Sequence, residues 1–226
     1  MKITFIKHSC YTVETEKNYL VFDYYSGTLN IPDNKKIIFF VTHRHADHYN
    51  ETIFNYNADL YIISDDVRIK DEFTKNYNIK TISPNKEYLF QDIFIKTVES
   101  TDEGVAILVK IDNKIFLHSG DLCHWVWPRY SLNEQKEMQQ WFESEVDKFK
   151  EYKIDIVFMV LDPRLNNSYD LTGKYFLENI NAKYYFPMHM WDNFTISSRF
   201  KKTYSEKYPD KKIMSISHNN QSFIIK

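Results

Sequence analysis

Short apolar runs alternate with polar residues through the first quarter of the chain. Three of them, ITFIKH, CYTVET and YLVFDYY, have the length and spacing of strands in a β-meander. A longer apolar run, KKIIFFVTH, predicts a buried strand that leads straight into a histidine-rich stretch. LYIIS predicts one more strand, and a short helix is expected around VRIKDEFTKNY. The first part of the chain is therefore predicted to be rich in strands.

The middle of the chain predicts four further strands in quick succession. Their sequences are EYLFQ, IFIKTVE, GVAILVKI and KIFLHSGD. Between the last two, Asp112 and Asn113 are the residue types of a tight hairpin turn. The last two segments are therefore predicted to form a hairpin.

The pattern changes to helical spacing after Asp121. Residues 131–152 begin with Ser131 and Glu134 at the spacing of a capping box. The apolar positions of this segment recur at helical intervals and are expected to face a core: Met138, Trp141, Phe142, Val146 and Phe149. The segment is predicted to be an amphipathic helix.

Strands and helices alternate in the last third of the chain. DIVFMVLD and YYFPMH predict strands, LTGKYFLENIN and SRFKKTYSEKY predict helices, and SFIIK predicts a closing strand. Strands first, followed by strands that alternate with helices, indicate an α/β protein. Since no repeat or Pro/Gly/Ser-rich linker interrupts the sequence, one domain over residues 1–226 is expected.

Composition argues against nucleic acid and membranes as binding partners of the chain. The 226 residues are 43% hydrophobic and 27% charged, with a formal charge of -2, so a basic surface for nucleic acid is not expected. No signal-peptide pattern and no apolar run of membrane-spanning length is present, so no membrane partner is expected. The two cysteines, Cys10 and Cys123, lack metal-binding spacing and indicate a reducing cytoplasm.

The stretch VTHRHADHYN holds three of the chain's 8 histidines and one aspartate within six positions. Imidazole and carboxylate are ligands of Zn²⁺, Fe²⁺ or Mn²⁺. On a loop at the end of a strand, His43 and His45 could bind one ion while Asp47 and His48 reach a second. This array predicts one or two divalent transition-metal ions, with zinc expected first.

Four residues on one loop cannot complete two coordination shells. Asp121 in IFLHSGD and His189 in YYFPMHMWD both follow apolar strands and are predicted as the remaining ligands. A carboxylate at Asp121 could bridge two ions. Asp47 and His124 are the candidate catalytic residues, Asp47 to orient a water or accept its proton and His124 as proton donor or substitute ligand. His8 could approach the metal or be structural.

The order H-x-H-x-D-H, then Gly-Asp, then a late histidine at a strand end resembles the metallo-β-lactamase superfamily. The resemblance runs from the first strands to His189 and implies a four-layer αβ/βα sandwich with metal at one edge. It implies that Asp23 orders the metal-binding loops. HSCYTVE and FLHSGD are similar to the ascorbate-6-phosphate lactonase-like branch of this superfamily.

One position departs from the superfamily pattern. In VESTDEGVAILV, Ser100 stands where the superfamily has a third histidine for the first metal. Water, Asp102 or Glu99 could replace that ligand, although Asp102 beside Glu103 could also be a solvated acidic turn. The second site, with Asp47, His48, Asp121 and His189, is complete, so a mononuclear or asymmetric centre is expected.

The sequence favours a metal-dependent hydrolase that acts on a small-molecule ester, lactone or phosphodiester. The alternatives are a metal-binding protein of this fold that has lost catalysis with its third histidine, and a nuclease or RNA-processing phosphodiesterase. Residues that follow the ligands could contact substrate or could pack: Trp125, Trp127, Arg129 and Trp191. Specificity within one fold resides in such loops.

Overall fold

The computed structural model describes residues 1–225. The chain divides into two compact units, one formed by Met1–Ser83 with His218–Lys226 and the other by Pro84–Ser217. The expected single domain over residues 1–226 stays a prediction. Among the described residues, every helix is too short or too polar to cross a membrane.

The first unit contains a mixed seven-stranded sheet. Its strands are Lys2–Lys7 (β1), Cys10–Glu14 (β2), Asn18–Phe22 (β3), Lys36–Val41 (β4), Leu60–Ser64 (β5), Ile79–Ile82 (β6) and Gln221–Ile224 (β14). The order across the sheet is β14-β1-β2-β3-β4-β5-β6, antiparallel from β14 to β3 and parallel from β3 to β6. A 3-10 helix at Glu51–Tyr56 and helix α1 at Asp71–Asn76 lie between the parallel strands.

Aromatic packing covers one face of this sheet. Phe39 stacks on Tyr61 with ring centroids 5.6 Å apart, and Phe54 of the 3-10 helix packs on both Tyr61 and Phe73 of α1. Tyr61, Phe39 and Phe54 are buried. Buried residues run without alternation along most of β4 and all of β5, as the apolar runs predicted, and they anchor β4, whose end carries the histidine array.

Most predicted elements of this unit are confirmed. Strand β6 was not predicted because only Ile82 of its four residues is fully buried, and an exposed edge strand leaves little hydrophobic signal. The closing strand SFIIK is found as β14, and Lys226 lies outside the described residues.

The second unit contains a second mixed seven-stranded sheet. Its strands are Glu87–Phe90 (β7), Ile93–Glu99 (β8), Val105–Ile111 (β9), Lys114–His118 (β10), Ile154–Val160 (β11), Ala182–Met188 (β12) and Lys212–Ile213 (β13). The order is β13-β12-β11-β10-β9-β8-β7, antiparallel from β7 to β10 and parallel from β10 to β13. Its helices are Leu132–Asp147 (α2), Leu171–Asn179 (α3) and Thr195–Tyr204 (α4).

The predicted turn and capping box are both present in this unit. Asp112 and Asn113 have φ of 51° and 57°, the left-handed pair that a two-residue hairpin needs. Ser131 caps α2: its Oγ accepts from the Glu134 backbone N–H, and the Glu134 carboxylate accepts from the Ser131 backbone N–H. The α/β class predicted from the order of elements is confirmed.

The prediction that Trp141 faces the core was wrong. Its side chain is 37% exposed, whereas the neighbouring Phe142 and Val146 are buried. Adjacent helix positions point about 100° apart, so Trp141 and Phe142 cannot both face the centre of the same apolar stripe. The smaller ring of Phe142 occupies it.

Gly173 of α3 is expected to tolerate no side chain. An added Cβ would lie 2.6 Å from Cζ of Phe200 and 3.0 Å from Cδ2 of Leu161. Overpacking of this kind costs about 1–3 kcal/mol, and the better helix propensity of alanine offsets at most about 1 kcal/mol of it. Urea denaturation of Gly173→Ala should show a net loss of stability relative to Lys174→Ala on the exposed face of α3. A Gly173→Ala protein as stable as the wild type would contradict this packing.

Candidate metal centre

The histidine array of the first unit lies at the carboxyl end of β4, beside the end of β3. These two strands are parallel, and Asp23, the residue after β3, donates its backbone N–H to the carbonyl of Phe40 at 2.9 Å. Carboxyl ends of neighbouring parallel strands are where α/β sheets place their ligands. The sheet register therefore sets Asp23 against the start of the array.

Asp23 is the buried acceptor that orders this loop. Its Oδ1 accepts from the backbone N–H of Thr42 at 2.8 Å, and its Oδ2 accepts from the Thr42 hydroxyl at 2.7 Å. The same Oδ2 lies 2.8 Å from Nδ1 of His48. Since a carboxylate can only accept here, Nδ1 of His48 carries the proton and Nε2 is the nitrogen suited to bind a metal ion. The ordering role that the resemblance implied for Asp23 agrees with these bonds.

The tautomer of His43 follows from the same network. Thr42 Oγ1 gives its only proton to Asp23 and lies 3.1 Å from Nδ1 of His43. The hydroxyl can then only accept from that nitrogen, so Nδ1 of His43 is protonated and Nε2 can bind a metal ion. The rings of His43 and His48 are 4.0 Å apart between centroids, and those of His43 and His45 are 4.7 Å apart. The three imidazole rings of the array therefore lie close together.

Asp47 contacts His8, a residue whose role the sequence analysis left open. Nε2 of His8 lies 3.3 Å from Oδ2 of Asp47, and its ring meets the His48 ring edge-on with centroids 5.6 Å apart. His8, Asp47 and His48 each offer a ligand atom within 4.8 Å of the others. His8 has a φ of 54° in the turn between β1 and β2, which brings this side chain to the array. Asp47 keeps 30% of its side chain exposed.

In the second unit, three consecutive parallel strands each end in a metal-ligand residue type. Asp121 follows β10, Asp162 follows β11 and His189 follows β12. Nε2 of His189 lies 3.4 Å from Oδ1 of Asp121, and Nδ1 of His189 lies 2.9 Å from Oδ2 of the fully buried Asp162. Asp162 therefore fixes the ring of His189 as Asp23 fixes that of His48, with Nε2 directed at the neighbouring carboxylate.

Asp162 and its partner Arg164 were missed by the sequence analysis. The available signal was the aspartate that closes DIVFMVLD, in the same position after a strand as Asp121. Burial alone would raise the pKa of Asp162, but hydrogen bonds from His189 and Arg164 outweigh burial and lower it to about 2. Asp162 is therefore a carboxylate at neutral pH and can serve as the acceptor for both partners.

The segment with the missing histidine is tightly held. Ser100 is 2% exposed, and its Oγ accepts from the backbone N–H of Asp102 at 3.2 Å. Asp102 offers a carboxylate oxygen within 4.8 Å of one from Asp121. The Glu99 residue is exposed, and its backbone N–H donates to the Glu145 side chain of α2. Of the alternatives that the sequence left open, Asp102 is the carboxylate placed beside Asp121.

His124 follows Asp121 by three residues, but its contacts are with helices α2 and α3. Its ring stacks on Phe142 of α2 with centroids 5.7 Å apart, and its backbone N–H donates to the Thr172 hydroxyl. It lines a cavity of about 570 Å³ between α2 and α3. Burial lowers the pKa of this imidazole, and the nearby charge of Glu143 opposes the effect. A catalytic role for His124 stays a prediction.

The donor set fits divalent transition ions. Both clusters combine imidazole with carboxylate groups, the borderline-to-hard set that zinc, iron or manganese takes. His48 and His189 each have the remote nitrogen held by a buried carboxylate, which is the usual support of a metal-binding histidine. The structure places all six predicted ligands in these two clusters: His43, His45, Asp47 and His48 in the first unit, Asp121 and His189 in the second.

Comparison with known proteins gives one family and several structures. The family described as the beta-lactamase superfamily domain matches residues 2–189. No curated protein sequence matches the chain.

Three solved structures illustrate the structural similarity. Igni18, described as a novel metallo hydrolase from Ignicoccus hospitalis, has a TM-score of 0.66 at 16% identity, with 100% of this chain and 99% of that chain covered. A possible metal-dependent hydrolase from Veillonella parvula has a TM-score of 0.63 at 12% identity, with the same coverage. CmlA, a diiron β-hydroxylase from Streptomyces venezuelae, has a TM-score of 0.63 at 10% identity, covering 99% of this chain and 54% of that chain. These similarities concern the fold alone, and the fold class predicted from the sequence is confirmed.

Proposed function

Because the chain belongs to the beta-lactamase superfamily domain family, we propose that it is a metal-dependent hydrolase of a small-molecule ester, lactone or phosphodiester. The proposed ligands are His43, His45, Asp47, His48, Asp121 and His189, with one or two divalent transition ions, zinc first. When bound, such an ion lowers the pKa of a coordinated water toward neutrality and polarises the bond under attack.

The observation that carries this proposal is the matched support of two histidines. Asp23 holds Nδ1 of His48, and Asp162 holds Nδ1 of His189, and both carboxylates are fully buried. A hydrogen bond from Nδ1 to a buried carboxylate leaves Nε2 of the same ring as the acceptor nitrogen, which is the arrangement of metal-binding histidines. Two such pairs at strand ends support ligand roles for both rings.

Asp47 and His8 are the proposed proton-handling pair. The Asp47 carboxylate is partly exposed and lies within 3.3 Å of Nε2 of His8. In this position it can orient a water molecule or accept its proton, and His8 can stabilise the carboxylate through that contact. The role of Asp47 as ligand or as base is set by which of its oxygens faces the ion.

We propose that Asp102 substitutes for the missing histidine. Its carboxylate lies beside that of Asp121, and the Ser100 hydroxyl holds the turn that presents it. A carboxylate in place of imidazole is a harder ligand, which makes the two halves of the centre unequal. The native metal content is therefore proposed to be asymmetric.

The proposed location is the reducing cytoplasm, and the proposed partner is a small molecule. Both thiols, Cys10 and Cys123, are buried and free within residues 1–225. Free buried thiols are typical of proteins kept in reducing compartments. The finer placement near the ascorbate-6-phosphate lactonase-like branch also stays a proposal.

Metal analysis of His48→Ala and His189→Ala tests the ligand set. The wild type is expected to carry about one to two equivalents of a transition metal, and each variant should lose at least half of it because each removes an oriented imidazole. His218→Ala, an exposed histidine outside both clusters, is the matched control and should keep the wild-type content. If both variants retain full metal content, the assigned ligands are wrong.

A substrate panel on the same proteins separates the functional alternatives. The panel contains 4-nitrophenyl esters, bis(4-nitrophenyl) phosphate and simple lactones. The proposal expects turnover by the wild type on at least one class and loss of about 100-fold or more in each ligand variant. A metal-loaded wild type that turns over none of them favours the protein that has lost catalysis. Activity on single-stranded RNA alone favours the nuclease.

A further inference from the structure

A cluster of three indole rings and one guanidinium lies beside His189, with the Trp125 ring buried and the other three side chains at least partly exposed. We call it the indole–guanidinium wall, formed by Trp125, Trp127, Arg164 and Trp191. The guanidinium carbon of Arg164 lies 4.6 Å from the ring centroid of Trp191, 5.3 Å from that of Trp127 and 6.0 Å from that of Trp125. We infer that this wall binds a planar, uncharged aromatic or conjugated group of the substrate, an inference that rests on the proposed function for its reaction.

The wall is rigid. Nε of Arg164 donates to both oxygens of Asp162 at 3.0 Å, and Nη2 donates to Oδ2 at 2.6 Å. Trp125 and Trp127 stack with their planes 4° apart, and Nε1 of Trp125 donates to the carbonyl of Asp121 at 3.2 Å. A forked ion pair and a stacked pair fix orientation as well as position. These side chains would therefore need little rearrangement to bind a planar ligand.

The wall adjoins the proposed metal ligands. The His189 ring meets Trp191 edge-on with centroids 5.7 Å apart and meets Trp125 with centroids 5.9 Å apart. Asp162 holds both His189 and Arg164, so one buried carboxylate sets the ligand and the wall together. A group bound on the wall would therefore lie next to the proposed ligand His189.

The loop after β12 adopts a disfavoured backbone to present this surface. His189, Trp191 and Asp192 have φ of 64°, 50° and 56°. Histidine and aspartate tolerate the left-handed region, but a residue as bulky as Trp191 rarely adopts it, and such strain concentrates where function requires a particular geometry. On this loop Trp191 remains 47% exposed beside the candidate ligand His189, whereas Trp125 is buried.

Charge decides which ligand chemistry the wall favours. Arg164 is 45% exposed, but its cation is paired at hydrogen-bond distance with the Asp162 carboxylate. The pair presents little net charge, so a phosphate or carboxylate would gain less there than at an unpaired arginine. What remains is a polarisable surface of indole rings and guanidinium, which favours stacking with a planar group.

Indole resonances give a direct test that needs no turnover. The chain has four tryptophans, so the zinc-loaded, ¹⁵N-labelled protein has four Nε1–H signals, which single substitutions assign. Titration with 2-naphthamide should shift the Trp191 and Trp127 signals and leave that of Trp141 in place. Its saturated analogue, decahydro-2-naphthamide, should bind at least about fivefold more weakly, because stacking needs a π-face.

Variants separate binding on the wall from loss of the fold. Trp191→Ala should weaken 2-naphthamide binding at least about fivefold and remove the preference over the saturated analogue, whereas Trp191→Phe should retain most of it. Trp141→Ala, which removes an exposed tryptophan of α2, should bind as the wild type does. Unchanged metal content and melting temperature would show that each variant is folded.

Three outcomes would overturn the inference: equal binding of the two amides, shifts at Trp141 alone, or undiminished binding by Trp191→Ala. Binding of 2-naphthoate about tenfold tighter than 2-naphthamide, lost in Arg164→Gln, would assign the wall to anions instead. Absence of hydrolysis in the substrate panel with naphthamide binding intact would reject the proposed reaction and leave the wall as a binding surface.

Discussion

Asp121→Ala is expected to lose nearly all bound metal, whereas Asp102→Ala keeps one ion. In the ligand set implied by the superfamily resemblance, Asp121 serves both ions, while Asp102 is proposed for the depleted half only. Losing a shared ligand should weaken metal binding by more than the about 10–100-fold typical of a lost supporting residue. Metal content after gel filtration, followed by competition with a chelating dye, measures both effects.

Glu103→Ala is the matched control for this pair, since Glu103 is the acidic neighbour of Asp102 in the same turn. It should keep the wild-type metal content. Wild-type metal content in Asp121→Ala would reject the ligand assignment altogether. Equal losses in Asp102→Ala and Asp121→Ala would instead give Asp102 a role in both halves of the centre and remove the proposed asymmetry.

Asp23→Ala is expected to destabilise the protein even without metal. The change removes the acceptor for the backbone N–H of Thr42, for its hydroxyl and for Nδ1 of His48, all in the buried interior. Each buried donor left without a partner costs about 1–3 kcal/mol, so a loss of about 3 kcal/mol or more is expected in urea denaturation of the chelator-treated protein. Metal affinity should also fall, because the His48 ring loses its orientation.

Asp23→Asn separates the effect of the carboxylate charge from that of side-chain shape, because asparagine has nearly the same shape as aspartate. Asparagine tolerates the φ of 46° at this position and can still accept from the Thr42 backbone N–H. Its amide group would meet donors where the carboxylate accepts, so partial recovery of stability with poor recovery of metal affinity is expected. If Asp23→Ala unfolds at the same urea concentration as the wild type, the buried network contributes nothing to stability.

Local sequence pattern was sufficient to predict most of the elements and to propose the candidate ligands that follow them. Apolar runs such as KKIIFFVTH and IFLHSGD predict strands buried on both faces, because successive residues at the centre of each run are apolar. A ligand placed directly after such a run lies at a strand end in any parallel arrangement. His43, Asp121 and His189 could therefore be proposed before any contact was known.

Burial could be predicted only approximately. Trp141 and Phe142 both fitted the helical stripe of α2, and the packing of the second unit decided between them, with Phe142 inside. Strand β6 escaped prediction because an edge strand buries too few residues to leave a periodic signal. In both cases the deciding quantity was how much apolar surface a neighbour covers, which is a property of the tertiary structure.

The supporting residues of the candidate site were decided by strand order. Asp162 holds His189 because β11 lies beside β12, and His8 meets Asp47 because the turn after β1 reaches the array. Arg164 joins three tryptophans from two loops that are distant in the sequence. The sequence by itself determined the α/β elements and the metal-binding residue types at strand ends, since these depend on periods of a few residues. Only the tertiary structure decided which side chains orient those ligands and what surrounds them, because hydrogen bonds and stacking act between neighbours in space.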